Sequence, residues 1–154
     1  MKNILFINAI PKKYSNTARM ADELIGNHEY KTIILADFRI NTYGFHLPGD
    51  ELDLIVEAME KADIVVLESP VYCHNLAGCL RVVMDYFYGY IEVDHFKGRS
   101  MFGIYLGTAA SDEESSTLHS LFEKRAVRKS LDLNFYLKNK SARLLISLAN
   151  YLLD

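Results

Sequence analysis

The sequence predicts an α/β fold in which a parallel sheet is covered by helices on both faces. Short apolar runs, several of them β-branched, alternate with segments of helical periodicity along the chain. The clearest run, Ile64-Val65-Val66-Leu67, is apolar at every position, as a strand covered on both faces must be. The chain of 154 residues, 50% of them hydrophobic, is long enough for one full core and too short for two. A single domain over 1–154 is therefore expected, without internal repeats or low-complexity segments.

Each element has its own local reason. The first strand is Ile4-Leu5-Phe6-Ile7, which stops at Asn8. No small-residue cleavage site follows it, so the N-terminus reads as a strand and not as a signal peptide. A polar stretch, Pro11 to Ser15, leads into a helix from Thr17 to Gly26 with Ala18, Ala21, Leu24 and Ile25 on one face. Ser15 or Asn16 suits its N-cap, and Gly26 with Asn27 its stop. Thr32 to Ala36 is the second strand. Asn41 to Gly49, with two glycines and a proline, is a loop. A helix from Asp50 to about Lys61 carries Leu52, Ile55, Val56 and Met59 at helical spacing.

The third strand, Ile64 to Leu67, is bounded by Asp63 and by Ser69-Pro70, and Leu76 to Tyr88 follows as a helix. Ser100 to Leu106 is the fourth strand, and Ser111 or Asp112 caps a helix reaching about Val127. Asp132 to Leu137 is the fifth strand. Ser141 to Leu153 closes the chain as a helix with Leu144, Leu145, Leu148 and Leu152 on its stripe. Five strands and five helices fit a flavodoxin-like three-layer sandwich, a five-stranded parallel sheet in the order 2-1-3-4-5. Its ligand crevice opens at the carboxyl ends of the strands, so chemistry is expected in the loops after strands 1, 3 and 4.

Composition excludes several classes. Lys and Arg number 17 against 20 Asp and Glu, a net charge of −3 with both signs scattered, unlike a nucleic-acid module. No apolar run reaches the ~18 residues of a membrane span. Two cysteines, Cys73 and Cys79, are too few for a disulfide scaffold and suit a reducing cytoplasm. His28, His46, His95 and His119 show no metal-ligand spacing, and no metal site is expected.

The first loop, Asn8 to Thr17, places Ser15, Asn16 and Thr17 at a helix start with Lys12 and Lys13 upstream. A helix N-terminus offers free N–H groups and a positive dipole end, which suits a phosphate; the same residues also serve as ordinary caps. Neither G-x-x-x-x-G-K-[ST] nor G-x-G-x-x-G is present. The second loop, Ser69 to Gly78, is stiffened by Pro70, carries the flat side chains of Tyr72 and His74, and offers Asn75 as a helix cap. Cys73 has no C-x-x-C mate and is read as a bystander and not a nucleophile. The third loop, Gly107 to Asp112, is built of small residues that allow close approach to the backbone or simply make a turn. The acidic run Asp112-Glu113-Glu114 belongs to a first helical turn, and the cluster Lys124, Arg125, Arg128 and Lys129 reads as a solvated helix face.

Three features together resemble the NAD(P)H-dependent FMN reductases and their quinone-, azo- and chromate-reductase relatives. They are the strand and loop ending Ser15-Asn16-Thr17, the stretch Ser69-Pro70-Val71-Tyr72 through Asn75 to Leu80-Arg81 and Asp85, and Phe96-Lys97-Gly98-Arg99 before the fourth strand. The resemblance implies that Lys12, Ser15, Asn16 and Thr17 hold the FMN phosphate. It implies that Pro70, Val71, Tyr72, Cys73, His74 and Asn75 line the flavin ring, with Gly107, Thr108 and Ala109 on its other side. It also implies NADH or NADPH as co-substrate, a small electron acceptor such as a quinone or flavin, no protein acid or base, and a homodimer. The aromatic cluster Tyr86, Phe87, Tyr88, Tyr90 and Phe96 is the expected interface. Asn8-Ala9 and Lys12 stand where the family has Gly-Ser and Arg, and Ala109-Ala110 where it often has two glycines. A flavodoxin-type electron carrier and a flavin-free binding or regulatory module of the same fold are the alternatives.

Overall fold

β1 (Ile4–Asn8) is buried along its whole length, between β2 (Tyr30–Ile34) on one side and β3 (Ile64–Tyr72) on the other, both parallel to it. The computed structural model describes residues 2–12, 15–45, 47–72, 75–90, 100–106 and 130–134. β5 (Ser100–Leu106) and β6 (Ser130–Asn134) extend the sheet in parallel, in the order β2-β1-β3-β5-β6. A short strand, β4 (Asn75–Leu76), pairs antiparallel with the end of β3. The parallel α/β class expected from the sequence is the class observed.

Three helices are described: α1 (Asn16–Ile25), α2 (Leu52–Lys61) and α3 (Gly78–Tyr90). Strand alternation assigns them to faces. Leu5, Ile7, Ala9, Val65 and Leu67 form one core cluster with Leu52, Ile55, Val56 and Met59 of α2 and Leu80, Val83 and Met84 of α3. The intervening residues Phe6 and Asn8 share a groove with Ala18, Arg19 and Asp22 of α1. α2 and α3 therefore cover one face, and α1 the other.

The element boundaries correct the sequence reading in five places. The second strand begins at Tyr30, not Thr32, because its register with β1 runs from Ile4↔Tyr30 to Asn8↔Ile34. Leu35 then leaves the ladder in a 3-10 turn (Leu35–Asp37) and buries its side chain in the core. α2 starts at Leu52, and Asp50 stays outside it, accepting the Leu52 N–H on Oδ1 at 3.0 Å. β3 runs five residues beyond Leu67, through Ser69-Pro70 to Tyr72. Pro70 is tolerated there because β1 leaves the ladder at Glu68, so β3 is hydrogen-bonded on fewer sides beyond that point. α3 starts at Gly78 and not at Leu76, since Asn75 and Leu76 belong to the hairpin. β6 starts at Ser130, two residues earlier than read, in register with Met101.

The helices read from Ser111 to Val127 and from Ser141 to Leu153 lie outside the described residues. Among the described residues, no helix is long and apolar enough to cross a membrane.

Candidate functional site

The first loop leaves β1 through a buried polar residue. Asn8 accepts the Ile10 N–H on its side-chain oxygen at 2.6 Å, an Asx-type turn that tips the chain off the sheet. The Ala9 N–H donates to the Glu68 carbonyl at 3.1 Å, tying the loop's first residue to β3. Lys12 is exposed on this loop. The loop ends at Ser15, the N-cap of α1, whose Oγ accepts the Ala18 N–H at 2.9 Å. Asn16 and Thr17 are the first two residues of the helix. The first turn of α1 holds no acidic residue. Its positive dipole end is thus left to whatever anion approaches.

The second loop is a hairpin. Val71↔Leu76 and Tyr72↔Asn75 are its pairs. Ser69 closes its base: fully buried, it accepts the Ala77 N–H on Oγ at 2.9 Å and donates to the Pro70 carbonyl at 2.8 Å. Asn75 is no helix cap, contrary to its sequence reading. Its Oδ1 accepts the Leu76 N–H at 2.9 Å, within the hairpin. Pro70 is buried within β3, Val71 follows it in the strand, and Tyr72 at the tip is 61% exposed. The structure thus brings Ser15, Asn16, Thr17, Pro70, Val71, Tyr72 and Asn75 to the same carboxyl edge of the sheet. Cys73, His74, Gly107, Thr108 and Ala109 lie outside the described residues.

Two residues at this edge escaped the sequence reading. Glu68 is fully buried in β3, directly before Ser69 and in register with Asn8. The signal was legible: a carboxyl directly follows four apolar strand residues with no break in periodicity. Cys79, in the first turn of α3, donates from Sγ to the Ala9 carbonyl at 3.2 Å. Burial pushes its thiol above the usual cysteine range, and the nearby Glu68 charge adds to the effect. That is the signature of a structural thiol, not an activated one. Among the described residues, no group of three His, Cys, Asp or Glu could hold a metal.

A parallel α/β sheet with a serine-capped, acid-free helix start at the carboxyl ends of adjacent strands belongs to the class of open α/β folds whose ligand crevice lies at that edge. Residues 2–126 match the family model of the NADPH-dependent FMN reductases, and the chain belongs to that family. The family makes it an oxidoreductase using FMN with NAD(P)H as co-substrate. Solved structures agree in fold. The Trp repressor binding protein from Bacillus subtilis superposes with a TM-score of 0.70 at 17% identity, covering 99% of each chain. An FMN-dependent NADH-azoreductase from Bacillus anthracis in complex with FMN gives 0.67 at 15% identity over 100% of each chain. The flavoenzyme NAD(P)H:acceptor oxidoreductase from Paracoccus denitrificans gives 0.67 at 14% identity, covering 98% of this chain and 94% of that one. No curated protein matches the chain in sequence.

Proposed function

We propose that the chain is an FMN-dependent NAD(P)H reductase that passes electrons to a quinone, a free flavin or a similar small acceptor. The observation that carries this is the pairing at one sheet edge of the serine-capped, acid-free start of α1 with the hairpin that holds Tyr72 in solvent. The residues present fit the cofactor. Ser15, Asn16 and Thr17, with Lys12, hold the phosphate through helix N–H groups, hydroxyls and charge. Pro70, Val71, Tyr72, Cys73, His74 and Asn75 line one side of the ring, and Gly107, Thr108 and Ala109 the other. Bound FMN supplies hydride acceptance and electron transfer. The protein's residues then orient, exclude water and leave one face open, and none needs to act as acid or base.

The same reading takes the chain as one flavodoxin-like domain over 1–154, a three-layer sandwich with long strands in the order 2-1-3-4-5, acting as a cytoplasmic homodimer. The strand pairings support that order. The exposed Tyr43, which packs edge-on against Tyr86 with centroids 5.2 Å apart, and the exposed Phe45 and Leu47 beside it support an apolar contact surface.

The test is the absorbance of freshly purified protein, with and without added FMN followed by desalting. Flavin bands near about 370 and 450 nm that bleach on adding NADH or NADPH are expected. Flavin retained but reduced only slowly by either nucleotide would mark an electron carrier instead. No retained flavin would remove the cofactor assignment of these loops.

A further inference from the structure

A groove of about 380 Å³ opens between α1 and β2, reaching the carboxyl edge of the sheet. Its size falls within the roughly 300–1,000 Å³ of small-molecule sites. Its floor is apolar, made by Phe6, Ala18 and Ile34. Asn8 pairs with Ile34 across β1 and β2, so both side chains leave the sheet on the α1 face. Asn8 is 1% exposed and lines this groove. Its side-chain oxygen is taken by the Ile10 N–H, and among the described residues its amide NH2 has no hydrogen-bond partner. A buried donor left open at a groove calls for an acceptor from outside the chain.

Two charged groups of the groove are likewise uncommitted. Arg19 closes the first turn of α1, and Asp37 ends the 3-10 turn that follows β2. Among the described residues neither side chain has a hydrogen-bond or ion-pair partner. Asp22, in the same groove, is already engaged, since it accepts the Tyr30 hydroxyl. In open α/β folds that bind dinucleotides, a carboxylate roughly 20 residues beyond the first loop accepts from the 2′-hydroxyl of the adenosine ribose. Asp37 stands at about that distance beyond Ser15, at the end of the neighbouring strand. We propose that this groove is the subsite for the ADP half of the nicotinamide co-substrate, and that Asp37 selects NADH over NADPH. The inference rests on the reductase reading of the chain. The adenine lies on the apolar floor, where the Asn8 amide donates to a ring nitrogen. Arg19 meets the pyrophosphate. The Asp37 carboxylate accepts from the free 2′-hydroxyl and repels a 2′-phosphate, which carries nearly two negative charges. The ends of β2 and β3 lie two strand spacings apart, about 10 Å, a span that an extended dinucleotide covers.

The experiment is a calorimetric titration of the full chain with ADP-ribose and with 2′-phospho-ADP-ribose, for wild type, Asp37→Asn and Arg19→Gln. KM values for NADH and NADPH are measured beside it. Asp37 and Arg19 are both exposed, so neither substitution opens the core. Wild type is expected to bind ADP-ribose about ten-fold tighter than its 2′-phosphate, and D37N to bring the two within about three-fold. The KM ratio should move in the same direction. R19Q is expected to weaken both ligands alike, by several-fold. Tighter binding of the 2′-phosphate by wild type, or an unchanged ratio in D37N, overturns the proposal. So does an R19Q loss confined to the 2′-phosphate, or displacement of ADP-ribose by FMN, which would put it in the flavin's own phosphate site. Retained flavin without ADP-ribose binding overturns this inference alone. Absence of retained flavin, with ADP-ribose bound and the D37N effect present, overturns the FMN reading and leaves the subsite standing.

Discussion

The Ala77 N–H donates to the Ser69 hydroxyl across eight residues of chain, at 2.9 Å and in a fully buried setting. The bond gives an acceptor to the Ala77 N–H, a donor that the helix ladder leaves free at the start of α3, while Arg81 donates back to the Ala77 carbonyl at 3.0 Å. It also closes the hairpin that carries Tyr72. Ser69→Ala leaves a buried N–H without its acceptor, which costs about 1–3 kcal/mol. We expect a lower urea midpoint and weaker FMN binding together in S69A. Stability equal to wild type would mean that the bond does not hold the hairpin.

Ser15 has two roles that separate by substitution. As N-cap of α1 it is replaceable by Asp, which caps equally well, so Ser15→Asp should keep thermal stability within about 0.5 kcal/mol. As a phosphate neighbour it is not, since a carboxylate there faces the anion directly. FMN affinity is expected to fall by roughly ten-fold or more in S15D. Ser15→Ala should do the reverse, losing about 1 kcal/mol of stability with a smaller effect on affinity. An S15D protein that is stable and binds FMN as wild type does would clear Ser15 of any contact with the phosphate.

The sequence carried the layout of the fold because periodicity is a local signal. Ile64 to Leu67, the stripe Leu52, Ile55, Val56 and Met59, and the Ser15 cap all follow from residue spacing within one element. What it missed depends on contacts between elements. The start of β2 at Tyr30 is fixed by its pairing with Ile4, and the hairpin at Tyr72↔Asn75 by residues that look like loop and cap when read alone. Asn75 read as a helix cap because its side chain suits one; the position of Ser69 decides otherwise. Glu68 was passed over for the opposite reason. It fits the strand pattern in position while breaking it in polarity, and such a break is where functional sites are to be sought.

Cys79 should be chemically quiet. Its thiol is raised above the usual range by burial, so less thiolate is present at pH 8 than for a free cysteine. In Cys73→Ala protein, where Cys79 is the sole thiol, reaction with a disulfide reagent at pH 8 is expected to be at least about ten-fold slower than for a free thiol. Adding urea should restore the fast rate. The same variant is expected to keep most of its reductase activity. Complete loss with flavin still bound would make Cys73 part of the chemistry.

Tyr30 links the start of β2 to α1 by donating its phenol to the Asp22 carboxylate, and its pKa is pushed up to about 12, first by that hydrogen bond and then by burial. The folded value lies above the unfolded one near 10, so folding favours the protonated phenol. The resulting stability is fully present below about pH 10 and is lost as pH rises through about 12. The pair is partly exposed, so solvent screens it and the effect is modest. Tyr30→Phe removes the ionisable group. The gap in urea midpoint between wild type and Y30F, measured from pH 8 to pH 12, should stay constant up to about pH 10 and then close or reverse. A gap that widens with alkali would show that the phenol ionises more readily in the folded chain than in the unfolded one, and the bond to Asp22 would not be the cause of the shift.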